Sequence, residues 1–117
     1  MIYPIAGTLS ALTAAGTKMG VTADNVANVN TNEFKKNRVI LSEHSNGGVS
    51  AAVDKVDAPG IQKETIQNGR IVQTESSNVD LVEELTELKT TESYYGANLK
   101  VLKTQQDMLG ELIDMKS

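Results

Sequence analysis

The residues able to do chemistry in this chain are few and scattered. His44 is the single histidine, set between Glu43 and Ser45 in a stretch that reads as a hairpin loop. A general base or a zinc ligand needs convergent partners, and neither a second His nor any Cys is present to supply them. His44 therefore reads as a surface loop residue. Glu83 and Glu87 stand four apart, a helical spacing that puts both carboxylates on one solvated face. Gly47 and Gly48 lack the preceding strand and following helix of a phosphate-cradling loop. Tyr94 and Tyr95 are adjacent aromatics, and Tyr95 lies on an apolar stripe, where packing accounts for it better than a ligand box. No catalytic, metal or cofactor site is expected.

The stripe belongs to the element around which the chain is organised. From Asn78 to Ser117, Leu81, Leu85, Leu88, Glu92, Tyr95, Leu99, Leu102, Gln106, Leu109 and Ile113 recur at alternating steps of four and three. This is a heptad seam with two polar interruptions and no proline, and it predicts one amphipathic helix roughly 55–60 Å long. Ser76, Ser77 and Asn78 are N-cap candidates, with Ser77 and Asp80 forming a partial capping box. Such a rod needs a cover. A second seam supplies one at the other end: Ile5, Leu9, Leu12, Gly16, Met19, Ala23 and Val26 follow the same steps. That helix is intrinsically weak, because Gly7, Gly16 and Gly20 lie inside it and four threonines between Thr8 and Thr22 add β-branching. Its small-residue surface suits close neighbours. It should end in the Asn-rich run 28–32, read equally well as a solvated turn or as a fixed loop at an interface.

Between the helices the period changes to two. Val39 and Leu41 alternate with polar neighbours, as do Val49, Ala51 and Val53; Asn46-Gly47 and Asn68-Gly69 signal tight hairpins. Strands are expected near 37–43, 49–56, 61–67 and 70–74, forming one small antiparallel β element that needs a helix over one face. The predicted fold is thus mainly α with a small β part. It is an antiparallel helical hairpin of the two ends plus a short β element in the middle, with segments 1–34, 35–76 and 77–117 in one domain.

Composition agrees with an extended helical protein. Aromatics make up 3% of 117 residues, and there is no Trp, so a thick core is not expected. A net charge of −4 argues against nucleic acid as a partner. No apolar run is long enough for membrane insertion. The absence of Cys excludes disulfides and thiolate metal sites. The first residues do not form a basic leader with an apolar block, so no cleaved signal is expected.

Two motifs now carry a resemblance. SALTAAG at 10–16 with VTADNVANVNTNEFKK at 21–36 resembles the N-terminal signature of bacterial flagellar axial proteins of the rod and hook. SNVDLVEEL at 77–85 with SYYGANLKVLKT at 93–104 resembles their C-terminal signature. The two cover about two-thirds of the chain, in the right order and at opposite ends. The likeness is greatest to the rod proteins, in particular the short proximal-rod type.

The resemblance implies a structural subunit of the flagellar basal-body rod, with no catalysis. Its paired terminal helices would polymerise into a torque-transmitting, periplasm-spanning axial tube, with the β-rich middle outside. Other rod and hook axial proteins, further copies of the chain, and the flagellar type III export apparatus would be its partners, and export would need no cleaved signal. Asn25, Asn28, Asn30, Thr31 and Phe34 match the N-terminal motif, and Tyr95 and Asn98 the C-terminal one. Glu33 stands where many relatives carry Gly. Packing within the assembly is expected of Leu9, Leu12, Met19, Val26, Leu81, Leu85, Leu88, Tyr95, Leu99, Leu102, Leu109 and Ile113. Two other readings stand beside this one: a soluble coiled-coil adaptor or export chaperone binding a partner helix, and an enzyme built around His44.

Overall fold

A computed structural model describes residues 2–45 and 47–116. The chain runs α1 (Ile2–Ala27), β1 (Asn37–Glu43), β2 (Val49–Lys55), β3 (Gln62–Gln67), β4 (Arg70–Glu75) and α2 (Leu81–Lys116). Helix α2 starts where its cap is. Asp80 Oδ1 accepts from the N–H groups of Val82 at 3.1 Å and Glu83 at 3.4 Å, and the Glu84 N–H opens the helical ladder on Asp80 O at 3.0 Å. The cap is therefore Asp80, not Ser77. Ser77 Oγ instead accepts from Val79 N–H in a local turn, and Ser76 Oγ accepts from Ile61 N–H. A carboxylate takes two orphan donors and also meets the positive end of the helix dipole, so it wins over a hydroxyl three residues upstream.

Helix α1 ends as its Asn residues require. Asn28 N–H closes the last helical bond on Asp24 O at 3.1 Å, Asn28 Nδ2 donates to the same carbonyl at 2.9 Å, and Thr31 Oγ1 donates to Asn28 Oδ1 at 3.0 Å, so the side chains fasten the last turn to the loop that follows. Glu33 then adopts φ 64°, the left-handed region that glycine enters without strain. The loop geometry of a glycine is kept although the residue is Glu.

The helices pack antiparallel along their length, as the fold class required. Thr8 Oγ1 donates to Gln105 Oε1 at 3.1 Å near one end, Lys18 Nζ lies 2.9 Å from Glu87 Oε2 midway, and Asn25 meets Glu84 near the other end. Strand β1 pairs antiparallel with β2 from Asn37↔Lys55 to Glu43↔Val49, and this ribbon lies along α1. At its tip, a Cβ on Gly7 would stand 2.8 Å from Gly47 O, so the helix must carry glycine where the ribbon turn crosses it. Ala11, Ala14 and Ala15 form the buried heart of the molecule, small enough for close approach of their neighbours.

The expected single β element is instead two ribbons. Strands β3 and β4 pair only with each other, Gln62↔Glu75 to Gln67↔Arg70, around an Asn68-Gly69 turn with φ 52° and 76°. This second ribbon touches no other secondary-structure element. The segment 56–61 carries the chain back to the start of α2 before β3 begins, so the two ribbons root together but run apart. The molecule extends over 81 × 23 × 18 Å. Helix α2, at 36 residues, accounts for about 54 Å of the long axis. Six-residue strands add about 20 Å, so β3–β4 is an arm projecting past the N-terminal end of α2.

Candidate assembly site

His44 sits exposed at the turn of the first ribbon, its backbone N–H donating to Gly48 O at 2.7 Å. Among the described residues no group of three His, Asp or Glu side chains could hold a metal. The acids near the start of α2, Glu83, Glu84 and Glu87, are engaged in holding elements together. Lys36 Nζ reaches Glu83 at 3.2 Å and Glu84 at 3.5 Å, and Lys18 takes Glu87. Burial pulls the Lys36 ammonium down, but the hydrogen bond and charge of Glu83, followed by those of Glu84, outweigh it and raise its pKa above the ordinary lysine value.

The built site of this protein is the junction where both terminal segments and both ribbons meet. Asn25, 1% exposed, behaves like an extra residue of the sheet. Its Nδ2 donates to Asn37 O at 2.7 Å and its Oδ1 accepts from Asn37 N–H at 3.1 Å, while Nδ2 also reaches Glu84 Oε2 at 3.3 Å. One primary amide thus pairs the start of β1 with α1 and ties both to α2. Asn78 does the same on the other side. Its Oδ1 accepts from Lys36 N–H at 2.7 Å, and its Nδ2 donates to Val56 O and Ala58 O, both at 2.9 Å. The arm is anchored here: Lys35 pairs with Glu75, whose Oε1 also accepts from Gly60 N–H at 2.7 Å, and Glu33 N–H donates to Glu75 O at 2.9 Å. The Lys35 hydrogen bond, then the Gly60 N–H, hold the Glu75 carboxyl below its ordinary pKa.

The motif residues have distinct places. Asn25 and Asn28 act in the junction and the helix end; Asn30 and Thr31 are exposed in the loop; half-buried Phe34 accepts from Asn78 N–H through its carbonyl at 3.3 Å. Asn98 is half-buried on α2 and bonds back to Tyr94 O at 2.9 Å. Asn37, Asn78, Lys36 and Glu84 were not among the expected site residues. Asn78 stood in the sequence as a cap candidate, but nothing linear joins the four.

The expected packing residues divide. Leu12, Met19, Val26, Leu88, Tyr95, Leu102 and Leu109 are buried or half-buried, whereas Leu9, Leu81, Leu85, Leu99 and Ile113 are exposed. In each helix one heptad column lies inside as expected, save Leu81 at the start of α2, and the other is displaced by one residue. Thr8, Ala15 and Thr22 are covered in place of Leu9, Gly16 and Ala23. Glu84, Thr91, Asn98 and Gln105 are covered in place of Leu85, Glu92, Leu99 and Gln106. The cause is that α1 has two neighbours. It must give its alanine face to the first ribbon, and its Thr and Asn side chains find partners on α2 that leucines would not supply. Thr91, 3% exposed, is left with its hydroxyl unpartnered, beside a cavity of about 250 Å³ lined by Ala15, Lys18, Leu41 and Tyr94.

The result is a hairpin whose interior pairs one apolar column with one polar or small column and whose outside carries further leucines. Leu85 and Leu99, two heptads apart on α2, are 48% and 44% exposed. Leu9, Leu81, Val82 and Val101 are exposed as well. No helix among the described residues is long and apolar enough to cross a membrane.

No curated protein matches the chain. Residues 8–35 match the family model described as flagella basal body rod protein, and residues 68–115 match that of the flagellar basal body rod FlgEFG protein C-terminal. The first span lies in α1 and its Asn loop; the second runs from the turn of the arm through α2. The two matched ends are the two strands of one helical hairpin locked by Asn25 and Glu84, and the chain belongs to the structural proteins of the flagellar basal body rod.

Proposed function

We propose that this chain polymerises through its terminal helices into the axial rod of the basal body and transmits torque by helix packing, without catalysis. The observation that carries this reading is that Leu81, Leu85 and Leu99 of α2 stand open to water while Glu84, Thr91, Asn98 and Gln105 are covered. Exposed apolar side chains grouped along one helix mark protein contacts. A neighbouring copy covering the open halves of Leu81, Leu85 and Leu99 would gain about 1 kcal/mol per side chain. Leu9 and Ile113 belong to the same outward set, and Leu12, Met19, Val26, Leu88, Tyr95, Leu102 and Leu109 hold the hairpin. In this reading segments 1–34 and 77–117 form the shaft and 35–76 lies on its outer side. Other rod and hook proteins bound it axially, and the export apparatus delivers it across the membrane.

Sedimentation velocity of the purified chain over a wide concentration range tests the proposal, with electron microscopy of the heaviest fractions. Open-ended growth into rods supports it. A discrete dimer at every concentration, as a soluble adaptor would give, overturns it, and so does a lone monomer.

A further inference from the structure

Two features remain outside the helical packing, and they lie at opposite ends of the molecule. The first is the tip of the β3–β4 arm. Ile66 and Ile71 face each other across the ribbon and are 75% and 71% exposed. A lone two-stranded ribbon is marginal in water, and this one has no cover beyond its root. From Thr65 to Gln73 its only charge is Arg70, beside the turn. The second is the last part of α2. Met108, Leu112 and Met115 are exposed at helical spacing, with Asp107 and Glu111 one turn apart along their edge. From Gln105 to Met115 there are three acids and no base. Among the described residues, Arg70, Asp107 and Glu111 take part in no ion pair.

The geometry points to a head-to-tail contact between copies: the arm tip of one subunit docks on the α2 tail of the next. Ile66 and Ile71 pack on Met108 and Leu112, and Arg70 reaches the Asp107–Glu111 edge. Within one copy the two patches cannot meet, because the stretch of α2 from Leu81 to Met108, about 40 Å, lies between them. The chemistry is complementary: an apolar pair with one cation against an apolar stripe edged by anions. The negative end of the α2 dipole adds to the attraction for Arg70. A contact between unlike surfaces does not close on itself, so it propagates along an axis. This inference rests on the rod reading and adds an axial joint to its lateral one.

The chain has no cysteine, so single thiols report contacts cleanly. Gln67→Cys and Met115→Cys variants of the full chain are mixed under assembly conditions and oxidised, with Ser93→Cys on mid-α2 as the off-site partner. The arm–tail pair should cross-link between copies and the arm–Ser93→Cys pair should not. In parallel, Arg70→Glu and Glu111→Arg should each raise the concentration for half-assembly about tenfold, and the doubly swapped chain should recover most of the loss. Circular dichroism of each variant should match the parent, since neither residue holds the monomer together. An unmodified chain that assembles while the swaps have no effect and no arm–tail cross-link forms overturns the joint but leaves the rod reading standing. Cross-linking of the arm to other axial proteins, and never to this tail, also overturns it. An unmodified chain that never assembles overturns both.

Discussion

Placing Asp at Leu85 and, separately, at Leu102 separates what holds one subunit from what joins two. Leu85 is 48% exposed in the single chain, so the monomer loses only about half of the 1.5–3 kcal/mol that full burial of a leucine contributes, near 1 kcal/mol. The new carboxylate stays hydrated and adds little. In the proposed assembly the same position is covered, and an unpaired charge there would cost several kcal/mol per contact. Leu102 is half-buried against α1 within the chain, so there the charge penalty falls on the hairpin itself, at about 2–4 kcal/mol. Urea unfolding followed by circular dichroism gives the first quantity, and sedimentation velocity gives the second. Leu85→Asp should lower the midpoint slightly and lose assembly; Leu102→Asp should lower the midpoint much further and lose assembly with it. Equal midpoints for the two variants, or normal rods from Leu85→Asp, would refute the division into an inner and an outer column.

Other outcomes follow from the junction and the open helix faces. Asn25→Ala removes both hydrogen bonds to the Asn37 backbone and one to Glu84 at a buried site, and should cost about 2–4 kcal/mol in chemical denaturation. Gly20 has open space where a Cβ would sit, so Gly20→Ala should stabilise the monomer by about 1 kcal/mol in thermal unfolding; if a neighbour packs on that face, assembly should weaken at the same time. The pH response has two limits. Glu75 has a lowered pKa, so its stabilisation is complete above the ordinary value of 4.5 and drains as pH falls through the folded value. Amide exchange at the arm root should therefore speed up in acid before α2 does. Lys36 has a raised pKa, so its contribution is complete below the ordinary 10.5 and is lost as pH climbs past the folded value. The α1–α2–β1 junction should loosen only in strong base.

Strand positions were legible from two local signals. Alternation marks 37–43 and 49–56, and the Asn68-Gly69 pair puts φ > 0 where the tight turn between the last two strands needs it. Helix existence was equally plain, since a heptad pattern without proline over more than four repeats has no other compact solution. The start of α2 was misplaced by three residues, because Ser77 and Asp80 are both competent caps and the choice depends on what else binds each. The seam was half legible. Leu88, Tyr95, Leu102 and Leu109 lie inside as their spacing required; Leu85 and Leu99 do not, because a heptad pattern ranks faces by apolarity and assumes one neighbour. Here α1 has two, and Asn25, Thr8 and Lys18 find partners on the polar side of α2.

Periodicity and turn chemistry are properties of neighbouring residues, and they were enough to specify two helices, four strands and the antiparallel return of the chain. The role of Asn25 was not among them. Whether an asparagine near a helix end is a solvated turn or a buried clasp depends on Asn37 and Glu84, 12 and 59 positions away along the chain. The same holds for the split of the β region into a docked ribbon and a free arm, which depends on where residues 56–61 return the chain. Contacts of that separation are formed by folding in three dimensions, and the hydrophobic pattern along a single line carries no record of which side of a helix will be asked to serve two partners.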